Sequence, residues 1–514
     1  MAKVVEAEET ADFETAISAC GFGVFNVIII VCALPCLTSM VFSASVISYV
    51  MPTAECDLNL SVMDMGILNA MTYSGMILSA IPWGFVSDTL GRRPVLIYGG
   101  FIDGIFVLCS ALSQNSIQLM IFKFFDGLAI CGPFAVVISY LAEFHGQKHR
   151  HYIMFLIGLC VSVGAITLPL LAYLILPRHI SFKLGAMKFH TWQVFLAILA
   201  LPTFLSGLLH IFLPESPKFL MAHGYYSKAL ECFQRIYAMN KRTSRKAYPI
   251  KSVSDVKPEQ MEENQLSVMQ RCRKAKFIFC EGLKQLKPMC KCPYLGVSIH
   301  VYLLHFCQIM CVNSIRLWMP KIFATMHAFE VRGDADRSMC AVLKHNSEMN
   351  FTKEQKSQEC DIHQQPGSYT DNIIVSAIGL LGFLIVFPLL SFQAFASHML
   401  KISLFVATIL VGGLYFTNSS LSMLLISAFY LMVMGICAST IMSMTVVYFP
   451  TLVRTIVLLL IMTFGRLGSV TGNILLPLFI KINCWAPFVW LTFLMLLSFV
   501  MSLFLKVNIK QALN

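Results

Sequence analysis

The sequence predicts an all-α polytopic membrane protein, with twelve transmembrane helices in two six-helix bundles, and three observations lead to it. The 514 residues are 57% hydrophobic and only 13% charged, with a mean hydropathy of +0.72. That is far more apolar than a soluble chain of this length needs to fill a core. Apolar runs of about twenty residues, each long enough to cross a bilayer, recur about twelve times between polar turns. Two polar insertions break this rhythm, and the larger follows the sixth run.

In chain order, residues 1–23 form an N-terminal segment that starts acidic, and no small-residue cleavage site follows the first apolar run. The first span is therefore expected to be retained, with the N-terminus cytosolic. Spans are placed at 24–50, 65–87, 94–113, 117–141, 152–176 and 191–213, giving an N-terminal bundle over 24–213. Residues 214–293 read as a basic cytosolic linker with short helices. Spans at 294–320, 371–392, 401–417, 421–447, 455–480 and 485–505 then build a C-terminal bundle over 294–505, with an outer loop at 321–370. An even number of spans returns the last segment, 506–514, to the cytosol.

Charge supports this layout. The net charge of +11 is concentrated between Pro214 and Cys292, where 16 Lys and Arg face 7 Asp and Glu, 16 − 7 = +9. An excess confined to one loop reads as positive-inside bias and attraction to anionic lipid, not as a nucleic-acid surface. Arg92, Arg93, Lys148, Arg150, Lys401 and Arg454 fall on the same side, while Arg178, Lys183 and Lys188 depart from the rule. Most of the 18 cysteines lie within spans and read as small apolar packing residues. No metal-ligand spacing, phosphate loop or nucleophile–base pattern appears, so neither a metal, a cofactor nor an enzyme is expected. Cys340 and Cys360 share the outer loop and are candidates for a disulfide. Asn350, in the sequon Asn350-Phe351-Thr352 of that loop, is the preferred glycosylation candidate over Asn59 and Asn418, which sit closer to the bilayer.

One short turn carries unusual chemistry. Gly84, Asp88, Gly91, Arg92 and Arg93 lie between the second and third spans, where so short a connection must bring two helices almost back to back. Asp88 can accept from amides at a helix start or pair with an arginine. A second set, Pro214-Glu215-Ser216-Pro217-Lys218-Phe219-Leu220, ends the sixth span and starts a short helix that Ser216 or Glu215 can cap. A third, Tyr140 and Glu143 with Arg150 seven residues on, closes the fourth span.

The turn resembles the G-x-x-x-D-x-x-G-R-R loop of the major facilitator superfamily, and the second set resembles the P-E-S-P-[RK]-[FWY]-L segment of its sugar, organic-ion and synaptic vesicle glycoprotein transporters. Asp12-Phe13-Glu14-Thr15-Ala16 with Gly21-Phe22-Gly23 and Phe25, Trp83, Leu317-Trp318-Met319-Pro320, Phe449-Pro450-Thr451 with Arg454, Gly465-Arg466-Leu467-Gly468 and Gly472-Asn473 are similar to the synaptic vesicle glycoprotein 2-like group. The resemblance implies a cytoplasmic gate formed by Gly84, Asp88, Gly91, Arg92, Arg93, Glu143, Arg150, Glu215 and Arg454, which releases as two bundles rock. Paired cysteines in the outer loop fit that group too. Departures are also present: Val447 stands where relatives carry an acid, Lys123 replaces an arginine, and the glutamines expected of hexose carriers are missing.

Polar residues at membrane depth are costly and usually face a cavity or one another. Asp103, Asp126, Gln308, Asn313, Arg316 and Asn473 are the substrate-cavity candidates. Lys123 and Asp126, one helical turn apart, can instead neutralise each other, and Arg316 can either hold an acidic solute or reach the outer headgroups. The expected function is transport of a small organic solute, an organic ion rather than a hexose, by rocker-switch alternating access, with coupling to a proton or another ion open. The alternative is a transporter-derived binding or trafficking glycoprotein. The expected setting is a monomer in the lipid bilayer of the plasma membrane or an intracellular vesicle.

Overall fold

The computed structural model describes residues 10–178, 180–185, 187–254, 294–332, 338–347, 366–386, 393–449 and 451–505. Cys360 and Asn350 lie outside these residues, and the side chains of Val447 and Arg454 lie outside the described ones.

A short helix, α1 (Phe13–Cys20), precedes six long ones: α2 (Val24–Leu58), α3 (Val62–Leu90), α4 (Arg92–Ala111), α5 (Ser116–Glu143), α6 (Gln147–Ile175) and α7 (Thr191–Ile211). Two linker helices follow, α8 (Pro217–Ala222) and α9 (Tyr226–Lys241). The second half holds α10 (Tyr294–Arg316), α11 (Met319–Arg332), α12 (Met339–Ser347), α13 (Gly367–Val386), α14 (Gln393–Gly413), α15 (Ser420–Tyr448), α16 (Thr451–Ile482) and α17 (Ala486–Phe504). Eleven helical stretches among the described residues are long and apolar enough to cross a membrane, with α10 and α11 forming one of them. The twelfth is α3, whose Asn69, Thr72, Tyr73 and Ser79 make it more polar, and most of that polarity turns inward.

Helices α2 to α7 pack on one another as one bundle, and α10 with α13 to α17 as a second. The bundles meet where α3 crosses α16, where α6 lies along α13, and where α11 reaches α2. Glycines permit the first two contacts. A Cβ on Gly66 would lie 2.4 Å from the Asn473 carbonyl, and one on Gly158 would lie 2.5 Å from the Phe383 ring. Within the first bundle, α3 and α5 touch backbone to backbone: a Cβ on Gly75 would lie 2.1 Å from the Phe124 carbonyl, and one on Gly127 would lie 2.0 Å from that of Thr72.

One face of the molecule carries the linker. There α1 starts at Asp12, whose side chain accepts from the Thr15 amide at 3.1 Å. It packs on α9 through Phe13 and Phe233, and Tyr248 donates to the Ala16 carbonyl at 2.7 Å. Asn240 of α9 donates to the Gly21 carbonyl and accepts from the Phe25 amide. The N-terminal helix, the linker helices and the start of α2 are thus one hydrogen-bonded layer.

The opposite face carries a hairpin that the sequence reading does not anticipate. Strands β1 (Ser181–Leu184) and β2 (Met187–His190) pair antiparallel between α6 and α7. Two further differences lie on this face. Residues 321–332, assigned to the outer loop, are helical in α11, because Ile322, Phe323, Met326 and Phe329 of this stretch bury against the bundles. The partner of Cys340 is Cys484, at the turn between α16 and α17, and not Cys360. Residues 144 positions apart are joined because α12 folds back over the second bundle, which spacing within one loop does not reveal.

Candidate functional site

Two sites emerge from the predicted residues: a charge cluster on the linker face and a cavity between the bundles.

The cluster forms around the first turn of α4. Glu215, from the segment after α7, reaches across and accepts from the backbone amides of Arg92 at 3.0 Å and Arg93 at 3.2 Å. The free amides of a helix start are thereby satisfied by a side chain more than a hundred residues away. Gly91 makes room for it: its φ is +102°, and a Cβ there would lie 2.4 Å from Glu215 Oε2. Burial raises the Glu215 carboxyl above its ordinary value, and the amides of Ser216, Arg93 and Arg92 partly offset that rise.

Arg92 then links three elements. Its guanidinium lies 3.2 Å from Asp88 and 3.4 Å from Glu143, donates to the Ser87 carbonyl at 3.0 Å, and sits over the Phe219 ring of α8. Glu143 also accepts from Ser216 Oγ at 2.5 Å, and Tyr140 donates to the Pro214 carbonyl at 2.5 Å. Arg93 donates to the Ile211 carbonyl at 2.6 Å. The three sequence signatures therefore converge on one network, except at two points. Asp88, its side chain 73% exposed, takes the arginine pairing, with Arg92 of the next helix, and the helix-capping role falls to Glu215. Arg150 leaves Glu143 to Arg92 and pairs with Glu14 of α1 at 2.6 Å. Glu14, part of the N-terminal resemblance, was not among the gate candidates; the folding back of α1 supplies the contact. Every described partner of the cluster belongs to the first bundle, α1 or the linker, and a Cβ on Gly84 would meet nothing within 4 Å.

The cavity, about 350 Å³, lies between α2, α6, α10, α13 and α15. Ser45, Ser48, Tyr49, Ser162, Asn372, Ser376 and Ser439 line it among apolar side chains such as Val161, Phe383 and Met432. Arg316 is the single charged residue among its described lining. One guanidinium nitrogen donates to Tyr73 Oη at 3.1 Å, while Nε is buried without a hydrogen-bond partner among the described residues.

Of the six cavity candidates, only Arg316 lines this space. The others satisfy or bury themselves within a bundle. Gln308 donates to the Met434 carbonyl at 3.1 Å, Asn313 to Ser469 Oγ at 2.5 Å, and Asn473 to the Ser469 carbonyl at 2.8 Å. Asp126 forms an ion pair with Lys123 and accepts from Ser43 Oγ at 2.8 Å, and Asp103 is fully buried nearby. Arg466 crosses between bundles, donating to the Met76 carbonyl at 3.2 Å.

Above the cavity, the bundles are tied on the hairpin face. Lys321 of α11 pairs with Glu55 of α2, and Asn69 of α3 donates to the Leu317 carbonyl at 3.5 Å. Neither member of the ion pair was a sequence candidate.

Comparison with known proteins agrees with this architecture. Residues 36–331, more than half of the chain, match the family model described as sugar (and other) transporter. Synaptic vesicle glycoprotein 2B of Rattus norvegicus is 30% identical over 268 residues, which cover 51% of this chain and 39% of that protein. Synaptic vesicle glycoprotein 2A of Mus musculus is 29% identical over 266 residues, covering 51% and 36%. The match therefore spans only about two fifths of these relatives' length. Among solved structures, the partially occluded inward-open xylose transporter XylE from E. coli superposes with a TM-score of 0.61 at 14% identity, covering 94% of this chain and 100% of that one. A D-xylose–proton symporter gives 0.62 at 15% identity, covering 95% and 99%. Identity this low speaks to the fold, and the fold is the twelve-helix, two-bundle arrangement built above. This multi-pass membrane chain belongs to the sugar (and other) transporter family of the major facilitator superfamily, within which it is similar to the synaptic vesicle glycoprotein 2 group.

Proposed function

We propose that this chain transports a small organic anion by alternating access between its two bundles. The observation that carries the reading is Arg316, the one charged residue in the described lining of the cavity, with a buried donor that has no partner among the described residues; the other polar groups described there are hydroxyls and an amide. A guanidinium presents a planar pair of donors that matches a carboxylate, and a low-dielectric wall strengthens the attraction. A hexose would leave that charge uncompensated, which disfavours sugar as the solute. The ties at Lys321–Glu55 and Asn69–Leu317 join the bundles on the hairpin face, while the described partners of the linker-face cluster all lie in the first bundle, α1 or the linker. That asymmetry suits one side of an alternating cycle.

The linker face is assigned to the cytosol. Its basic segment fits the positive-inside rule, and the Cys340–Cys484 disulfide at the other face suits an oxidising compartment. Plasma membrane and vesicle membrane are both compatible with that orientation.

The test is a melting and uptake experiment on the purified, reconstituted protein with small carboxylates, organic cations and hexoses. Carboxylates alone should raise the melting temperature and enter proteoliposomes, and Arg316→Ala should abolish both effects while Arg316→Lys retains a fraction. Stabilisation and uptake that persist in Arg316→Ala would sink the assignment. Similarity to synaptic vesicle glycoproteins supports a second reading, a binding or trafficking protein with a transporter's frame. Carboxylate-stabilised melting without any flux would select it.

A further inference from the structure

The cavity between the bundles is chemically uneven along its length. α10 ends at Arg316 on the hairpin side, and α13 starts on that side, where His327 of α11 lies 2.8 Å from Asp371. From Asn372 the lining of α13 continues through Val375, Gly379 and Leu380 to Phe383, about 16 Å along the helix axis. Phe383, the last lining residue of α13, stacks on Phe155 of α6 at 5.6 Å. The charge therefore stands at one end and an aromatic wall at the other.

Few of the polar groups in between have a proton to give. Asn372 donates to the Ser368 carbonyl at 2.7 Å. Ser162, Ser376 and Ser439 donate to the carbonyls of Gly158, Asn372 and Gly435 at 2.9, 2.9 and 3.0 Å. These side chains keep acceptor lone pairs, but a solute rich in acceptors would leave most of its own unmet. A single acidic head on Arg316, whose Nε has no partner among the described residues, needs no other donor. A second acid would meet no second cation in the described lining and would be buried uncompensated.

Two glycines keep the middle of the cavity open. Gly158 lines it too, but close packing explains that residue, since a Cβ there would lie 2.5 Å from the Phe383 ring. A Cβ on Gly379 of α13 or Gly435 of α15 would meet nothing within 4 Å. Glycine weakens a helix interior, and neither position gains a close backbone contact in return. Gly84, Gly185 and Gly296 are open in the same sense but lie outside the lining. The space that side chains at Gly379 and Gly435 would take is the cavity itself. We propose that the solute is an amphipathic monocarboxylate, its acid on Arg316 and its hydrocarbon body running toward Phe383, and that Gly379 and Gly435 set the size of the body admitted. This rests on the anion reading above and names the kind of anion.

The test measures binding of butyrate, hexanoate, octanoate and decanoate to the purified full-length protein by melting and calorimetric titration. Signals are counted against Arg316→Ala in the same detergent, which removes nonspecific partition. Affinity should rise about tenfold for each two methylenes up to a longest chain and then fall. Suberate, with a second acid, and gluconate, with several hydroxyls, should bind at least about tenfold more weakly than octanoate. Gly379→Leu and Gly435→Leu should each keep butyrate binding, which certifies the fold, and move the optimum to a shorter chain. Gly379→Ala and Gly435→Ala should move it the same way by less, and they serve if a leucine variant does not fold. Affinity independent of chain length, or suberate or gluconate bound as tightly as octanoate, would overturn the amphipathic monoanion. An optimum unmoved in every glycine variant would overturn the sizing role. If no carboxylate binds wild type, or Arg316→Ala binds equally well, the anion reading itself fails. Binding lost in Arg316→Ala but flat across the series leaves that reading standing and removes this one.

Discussion

Glu55→Gln offers the most direct probe of how the bundles are held on the hairpin face. Lys321 is 2% exposed and Glu55 14%, so the substitution leaves an ammonium buried without its carboxylate. Breaking a buried pair in this way costs about 3–5 kcal/mol, and the partial exposure of Glu55 favours the lower end, about 3 kcal/mol. The penalty falls only on the state closed at this face, since separating the bundles returns Lys321 to water. About 3 kcal/mol corresponds to roughly a hundredfold shift in the open-to-closed ratio. Ser48 lines the cavity below the pair, so Ser48→Cys reports on access. Its rate of labelling by a membrane-impermeant maleimide from the hairpin side should rise by about two orders of magnitude with Glu55→Gln. The charge swap of Glu55→Lys with Lys321→Glu should restore slow labelling. An unchanged rate, or a swap that behaves as the sum of its two single variants, would refute the tie between bundles.

Three further outcomes follow from the cluster and the disulfide. Gly91→Ala places a Cβ against Glu215 at positive φ and should destabilise by about 2 kcal/mol in thermal melts, and by less in a Glu215→Ala background because the contact with the Glu215 carboxyl is gone while the positive φ remains. Glu215 has a folded pKa raised above its ordinary 4.5, so its charge costs stability once ionised; that cost is absent below 4.5 and complete above the folded value. Stability from this group thus falls as pH rises through that interval, and Glu215→Gln should flatten the slope of melting temperature against pH there. Cys340→Ser and Cys484→Ser should each lower stability by about 2–5 kcal/mol, the pair no more than either alone, whereas Cys360→Ser should leave the 340–484 cross-link intact in non-reducing peptide maps.

The twelve spans and the linker-face turn were legible because both are local: apolar length marks a helix, and Gly91-Arg92-Arg93 marks a tight cationic turn. Partnership was less legible. Glu215 reads as a helix-start residue of its own segment, yet it caps α4, a role only the approach of α7 to α4 defines. Polarity at depth misled the search for the cavity, since Gln308, Asn313 and Asn473 are spent on contacts inside their own bundle. The serines that do line it look in sequence like any helix serine bonding back to its own carbonyls, as Ser162 and Ser376 also do here. Arg316 does line the cavity, and it stood out in the sequence because a charge at that depth is costly.

The crossing of α3 and α5 determines where this molecule can bend. With Gly75 and Gly127 each seated on the other helix's backbone, no side chain lies between them to act as a bearing, and sliding one helix past the other would drive carbonyl into Cα. The two helices are therefore a single stiff plate. Any rocking must be borne at the plate's margins, along the α3–α16 seam and in the short turns that join the plate to α2 and α4. A bulkier residue at either glycine would act as a wedge, thickening the plate and changing the angle at which the bundles meet.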